Sequence, residues 1–222
     1  MFQRPLCPRP PPSNLLPYRH ITPGLPKLLG NVSHTDEDVI AMADAADTAR
    51  TPVSPSAIAA GRWVLDPAGS TVRVRHKTFW GLATVSGEFT AVSGEGEVAA
   101  DGSARGTLTI DAASLDTRNT QRDAHLRGAD FLDTDQHPEI VVAISGAVPG
   151  EGAAVTVDGE LTVLGRTRPL SFTARLTEAT ADAATLTADV DIDRTGFGMT
   201  WNRLGMMRGA AAMTVTTRFT RR

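Results

Sequence analysis

Three histidines follow residue 60, at positions 76, 125 and 137, and chemistry at neutral pH would start from them. None has the spacing of a zinc finger or a metalloprotease helix. Asp123-x-His125 sets a carboxylate two residues from an imidazole, a fragment of a metal site or an acid–base pair. A helix histidine hydrogen-bonded locally is the plainer reading. Asp133, Asp135 and His137 alternate without the glycine turn of a calcium loop, so a solvated loop is expected there. No Gly-x-Ser-x-Gly elbow, phosphate loop or dinucleotide fingerprint occurs. Neither catalysis nor a resident cofactor or metal is expected.

Binding has more to work with. In STVRVRHKT (70–78), Val72, Val74 and His76 share one face while Arg73, Arg75 and Lys77 share the other. His76 thus breaks an apolar, inward face, and a buried imidazole needs a partner. That partner is either a backbone carbonyl of a packed core or the head group of a ligand inside a barrel. Met199, Trp201, Met206 and Met207, with Phe79, Trp80 and Phe131, place adaptable apolar surface in irregular stretches. They are either small local cores or the mouth of a barrel, and their clustering favours a mouth.

Period-two alternation runs through most of the chain after Gly61 and predicts the elements that would hold these residues. Phe89 shares a face with Val85 and Gly87, and Leu108 and Ile110 point the same way in the strand ending at Asp111. Ile140, Val142 and Ile144 follow, then Val155 to Val163, then Leu170, Phe172, Ala174 and Leu176. Two further alternating runs, Leu186–Ile192 and Met213–Phe219, close the chain. The pattern predicts an all-β fold of about eight antiparallel strands in an up-and-down barrel, whose interior has room for side chains or one slender ligand. A β-sandwich or an open sheet would show similar patterning.

One segment interrupts the strands. Ser114 to Pro138, SLDTRNTQRDAHLRGADFLDTDQHP, predicts a helix with a capping-box-like Thr120/Asp123 pair, an Asp123/Arg127 pair, and a left-handed stop at Gly128. A connection this long inside a compact domain reads as a lid or plug, with Phe131 and Leu132 planted on whatever lies beneath.

Residues 1–60 hold ten of the fourteen prolines and no alternation, so they are expected to form a disordered tail. A short helix over Thr35–Asp47 is expected within it. Met42 opens an alternative start, which makes residues 1–41 either an over-extended reading frame or plain tail. No apolar signal-peptide core survives the prolines, and the single cysteine, Cys7, cannot close an internal disulfide. Both features fit a cytoplasmic location, with a periplasmic or secreted one as the alternative if the true start differs. The net charge of −3 and pI of about 5.9 argue against a nucleic-acid partner.

From about Trp63 to Phe219 the chain resembles the YceI-like family, bacterial polyisoprenoid-binding, lipocalin-like proteins. The resemblance is carried by WVLDPAGSTVRVRHKT (63–78), by Gly87-Glu-Phe89 with Gly94, by the 114–138 segment, by GELTVLGRTRPLSF (159–172) and by DRTGFGMTW (193–201). It implies an extended eight-strand barrel whose pore holds a long isoprenoid chain, such as that of an isoprenoid quinone, often in a homodimer. Transient membrane contact is expected of a chain that binds such a lipid. On that reading Val72, Val74, Phe89, Leu108, Ile110, Ile140, Val142 and Phe172 line the pore. His76, His125, Phe79, Trp80, Phe131, Met199 and Trp201 meet the ligand nearer its head. The rival readings are an enzyme using His125 and Asp123 on such a ligand, and a stress-related β protein with a filled core.

Overall fold

Residues 53–207 and 209–222 are described by the computed structural model of the chain. The helix expected over 35–47 and the alternative start at Met42 lie outside the described residues. The strands are β1 (Gly61–Leu65), β2 (Thr71–Thr78), β3 (Ala83–Phe89), β4 (Val92–Val98), β5 (Ala104–Asp111) and β6 (Leu115–Asp116). After helix α1 (Thr120–Arg127) come β7 (Glu139–Pro149), β8 (Ala154–Val163), β9 (Arg166–Ala179), β10 (Ala183–Ile192) and β11 (Ala211–Arg221).

All of them belong to one antiparallel sheet. β1, β4, β5, β7, β8, β9, β10 and β11 form a ring of eight that closes where β1 pairs with β11, Trp63 opposite Arg221 and Leu65 opposite Phe219. Higher up, β11 pairs with β2, β2 with β3 and β3 with the short β6. The first three staves of the barrel are therefore each broken in two, at Asp66–Ser70, Thr90–Ala91 and Ala112–Ser114. The alternation that runs through Val85, Gly87 and Phe89 stops at the second of these breaks.

The first break has a local cause. Pro67 cannot donate to a ladder, and the Asp66 carboxylate accepts from the Ala68 amide. The Ser70 hydroxyl donates to the Asp66 carbonyl and accepts from the Arg218 amide. Arg218 also pairs with Asp66 and Glu178, so one side chain spans the gap. A side chain at Gly69 would collide with it, a Cβ there falling 2.4 Å from the Arg218 Cδ. On the opposite side of the ring, β10 pairs with β9 only from Ala184/Ala179 to Thr187/Arg175. Beyond that, Pro169 sits on the free edge of β9, as proline in a sheet requires, and Arg168 bridges instead to the Gly196 carbonyl at 3.1 and 3.2 Å.

At the far end of the barrel Trp63, Val155, Val157, Ala174, Leu176 and Ala184 form a second buried cluster. Val53 and Ile58 pack against it and the Ala59 carbonyl accepts from the Trp63 indole, so among the described residues the segment before Gly61 also touches the barrel. Leu176 is among the most buried side chains of the molecule. Leu176→Ala should cost about 2–5 kcal/mol through lost burial and the cavity left behind, read as a lowered midpoint in urea denaturation.

Candidate functional site

The other half of the barrel is hollow. An apolar cavity of about 410 Å³ opens at the end where β2, β3 and the 114–138 segment meet, within the size range of ordinary ligand pockets. A smaller chamber of about 170 Å³ lies beyond it, walled by the Trp63 and Leu176 cluster, with Leu108 and Val215 lining both.

Strand alternation does place the expected wall residues inward. Val72, Val74 and Phe89 line one side, and Leu108, Ile110, Ile140, Val142 and Phe172 line the other. Phe79, His125, Phe131, Met199 and Trp201 close around the mouth. Trp80 is the exception. Its backbone turns left-handed at φ 57°, and its side chain stands out at the rim, away from the cavity.

His76 points into this apolar space at 8% exposure, and neither ring nitrogen has a hydrogen-bond partner. The alternative of a core histidine tied to a backbone carbonyl is thereby removed. A buried polar group left unmet costs about 1–3 kcal/mol, so this position carries an energetic debt that a visiting acceptor or donor would relieve.

The 114–138 segment is fastened over the wall by a polar node. Asn119, not Thr120, caps α1, its side chain accepting from the Arg122 amide. Asp123 is not half of a capping box. It is buried, and its Oδ1 accepts from the Thr117 amide at 3.0 Å and from the Thr117 hydroxyl. Arg122 donates to both the hydroxyl and the carbonyl of Thr117 at 2.7 Å. Arg127 reaches back to the Ala113 and Leu115 carbonyls at 2.7 and 3.0 Å, across the third stave's break. Gly128 ends the helix with φ −71°, an extended residue rather than a left-handed one. Burial alone would push the Asp123 carboxyl up, but the two hydrogen bonds from Thr117, with Arg127 and Arg122 nearby, outweigh it and hold the group below its usual value.

His125 plays a different part from Asp123, and the two do not pair. Its Nε2 lies 3.5 Å from Asp130 Oδ2. Its ring meets Phe131 and Trp201 edge-on, with centroids 5.1 and 5.0 Å away. Phe131 and Trp201 are themselves 5.2 Å apart. This trio locks the helical segment to the 197–209 loop. Asp123 is committed to Thr117 and acidified, the wrong direction for a base at neutral pH, so the acid–base reading of Asp123-x-His125 is not assembled.

Several lining residues have no counterpart among the site residues expected from sequence, and three of them, Arg194, Arg122 and Thr117, are polar and tied into hydrogen-bond networks. Arg194 is buried beside the cavity and donates to the Met199 and Trp201 carbonyls at 2.6 and 3.0 Å. Burial pushes its guanidinium down and Asp193 opposes that, yet an arginine so placed stays charged. Arg122 and Thr117 also reach the cavity wall. The Arg-x-x-Phe-Gly spacing at 194–198 was the available signal for Arg194; nothing local marks the other two. Among the described residues no group of side chains is arranged to hold a metal ion.

A family model for the YceI-like domain matches residues 63–220. Protein YceI of Escherichia coli O6:H1 is 41% identical over 69 residues, 31% of this chain and 36% of that protein. A UPF0312 protein of Shewanella oneidensis is 28% identical over 124 residues, 54% of this chain and 65% of the relative. The chain thus spans less than two thirds of these curated relatives. Among solved structures, BcnA of Burkholderia cenocepacia superposes with a TM-score of 0.63 at 19% identity, covering 69% of this chain and 98% of that one. A polyisoprenoid binding domain from Saccharophagus degradans, implicated in plant cell wall breakdown, gives 0.58 at 15% identity, covering 72% and 98%. At those identities the likeness is one of fold.

Two outcomes are expected from the geometry. Replacing His76 by Leu should stabilise the ligand-free protein by about 1–3 kcal/mol, since an unmet polar group becomes apolar; urea denaturation of delipidated protein measures it, and an equal loss would reveal a hidden structural partner. The depressed carboxyl of Asp123 stabilises the fold above its unfolded pKa of about 3.9 and ceases to do so as pH falls through the lower, folded value. Asp123→Asn should therefore cost about 1.5–3 kcal/mol at pH 7 and flatten the fall in melting temperature seen on acidifying the wild type below pH ~4.

Proposed function

The chain belongs to the YceI-like domain family, and on that premise we propose that it binds a polyisoprenoid or similar long amphiphilic lipid in the barrel pore, for carriage, storage or shielding. One observation carries the reading: an open, apolar cavity of about 410 Å³ whose wall holds a buried imidazole with no partner. A branched hydrocarbon chain fills the first of these and a polar head group answers the second. Arg122 and Arg194 also line the cavity and favour a head group rich in acceptor oxygens. The smaller chamber beyond Leu108 gives a longer chain somewhere to go.

The binding reading is preferred to catalysis because the one acid–base pair the sequence offered is not formed. It is preferred to a filled structural core because the packed cluster around Leu176 stops short of the mouth, leaving Val142 and Phe172 beside empty space.

The experiment is native mass spectrometry of the full chain purified from lipid-rich cells, followed by organic extraction. A bound isoprenoid is expected. Val142→Phe occupies the cavity and should reduce retained lipid while changing the stability of the emptied protein by less than about 1 kcal/mol, whereas overpacking a solid core costs about 1–3 kcal/mol. Unfolding of Val142→Phe with no change in bound lipid would mean that the interior is a filled core.

A further inference from the structure

Five large apolar side chains are exposed among the described residues, and four of them stand at the cavity mouth. Phe79 and Trp80 are each 53% exposed, Leu82 is 89% exposed and Leu204 77%. They come from two loops, the turn after β2 and the segment after β10, joined where the Trp80 amide donates to the Met206 carbonyl at 3.2 Å. Phe79, Trp80 and Leu204 all hold left-handed backbone, at φ 49°, 57° and 56°. That conformation is unfavourable for bulky residues and collects at functional sites. Here it turns apolar side chains toward solvent, against their preference for burial.

The end of β2 and the turn after it carry charge of one sign. Residues 75–83 hold Arg75 and Lys77 and no Asp or Glu, in a chain of net charge −3. Arg75 and Lys77 face outward and meet no carboxylate among the described residues. Exposed Trp, Phe and Leu with basic residues beside them suit a surface that lies in the headgroup region of a membrane.

We propose that this rim docks on the surface of a lipid bilayer containing anionic phospholipid. The occupant is chosen by what the rim encloses. Phe79, Met206 and Met207 belong at once to the rim loops and to the cavity lining, so whatever covers the rim also covers the mouth. A second protein copy seated there would seal the pore. A bilayer instead continues the apolar path, letting a chain pass between membrane and cavity without crossing water. This choice of occupant rests on the lipid-binding reading of the pore.

The test is co-sedimentation of the full chain with vesicles of phosphatidylcholine alone or mixed with phosphatidylglycerol. The wild type should sediment with the mixed vesicles, less so as salt rises, and poorly with phosphatidylcholine alone. Leu82→Asp with Leu204→Asp should weaken that binding by about tenfold or more. Arg75→Glu with Lys77→Glu should abolish the preference for phosphatidylglycerol. Leu82 and Leu204 do not line the cavity, so the Leu82→Asp/Leu204→Asp protein should keep its melting temperature and still take up isoprenoid from detergent micelles. Its transfer from vesicles should slow. A wild type that stays in the supernatant with every vesicle, or a variant that sediments as the wild type does, overturns the proposal. So does a concentration-dependent dimer, abolished by the same substitutions, in a protein that ignores vesicles. Sedimentation without any extractable isoprenoid supports docking and removes the pore reading alone.

Discussion

An antiparallel sheet with a free edge invites pairing with another chain, and closing it here depends on a short ladder between the first and last strands. Trp63, Val64 and Leu65 pair with Arg221, Thr220 and Phe219, after which β11 must exchange β1 for β2 as its neighbour. Arg218 makes that exchange possible. Its amide is taken by the Ser70 hydroxyl, its carbonyl accepts from Asp66, and its guanidinium pairs with Asp66 and Glu178. The groups that the broken stave leaves without a ladder partner are met at this one position. Because the stave bends there, the closed ring near Leu176 can hold only the smaller chamber while the upper half widens around the larger cavity.

Widening carries a cost that the 114–138 segment offsets. The third stave ends early at Asp111, and β6 supplies only two residues of pairing to β3. The gap is covered by α1 and the turns of residues 128–138, held by the buried Asp123 node and by Arg127 on two carbonyls. A buried carboxylate is tolerable only when its acceptor sites are filled, which explains why Thr117 gives it both amide and hydroxyl. The aromatic contact of His125, Phe131 and Trp201 then ties this cover to the loop across the mouth. The pore wall and its cover form one connected structure through these contacts.

The wall was legible in the sequence because strand alternation is local: Val72, Val74, His76, Ile110 and Val142 show their direction by parity alone. The polar arrangement was not, because it depends on which distant groups meet. Asp123 beside Gln121 and Arg122 looks like a helix-start acid, and only the approach of Thr117 makes it a buried anchor. Arg194 was visible in a motif, but its cavity-side position comes from the fold of the 197–201 loop beneath it. Trp80 was misplaced for a backbone reason, since a left-handed turn at Phe79 and Trp80 is not written in a sequence that offers Gly81 as the natural place for it. The breaks at Thr90–Ala91 and Ala112–Ser114 lack the proline that announces the one at Asp66–Pro67.

The energetics of a pore of this kind turn on its competitor. Against water, a chain of about forty carbons would gain roughly 30 kcal/mol at ~0.8 kcal/mol per CH₂, beyond the practical ceiling of about 20 kcal/mol for any complex. Against a bilayer, that term nearly cancels, since the chain is as apolar in one as in the other. The remaining difference lies in polar contacts. In the membrane a head group is already solvated, so it leaves only for a site that was worse off without it. His76, buried with both nitrogens unmet, is such a site. Relieving about 1–3 kcal/mol of unmet polarity is worth a factor of roughly five to more than a hundred in preference. On the proposed lipid-binding reading, that range would suffice to select one lipid from its neighbours while leaving the complex weak enough to give the lipid up.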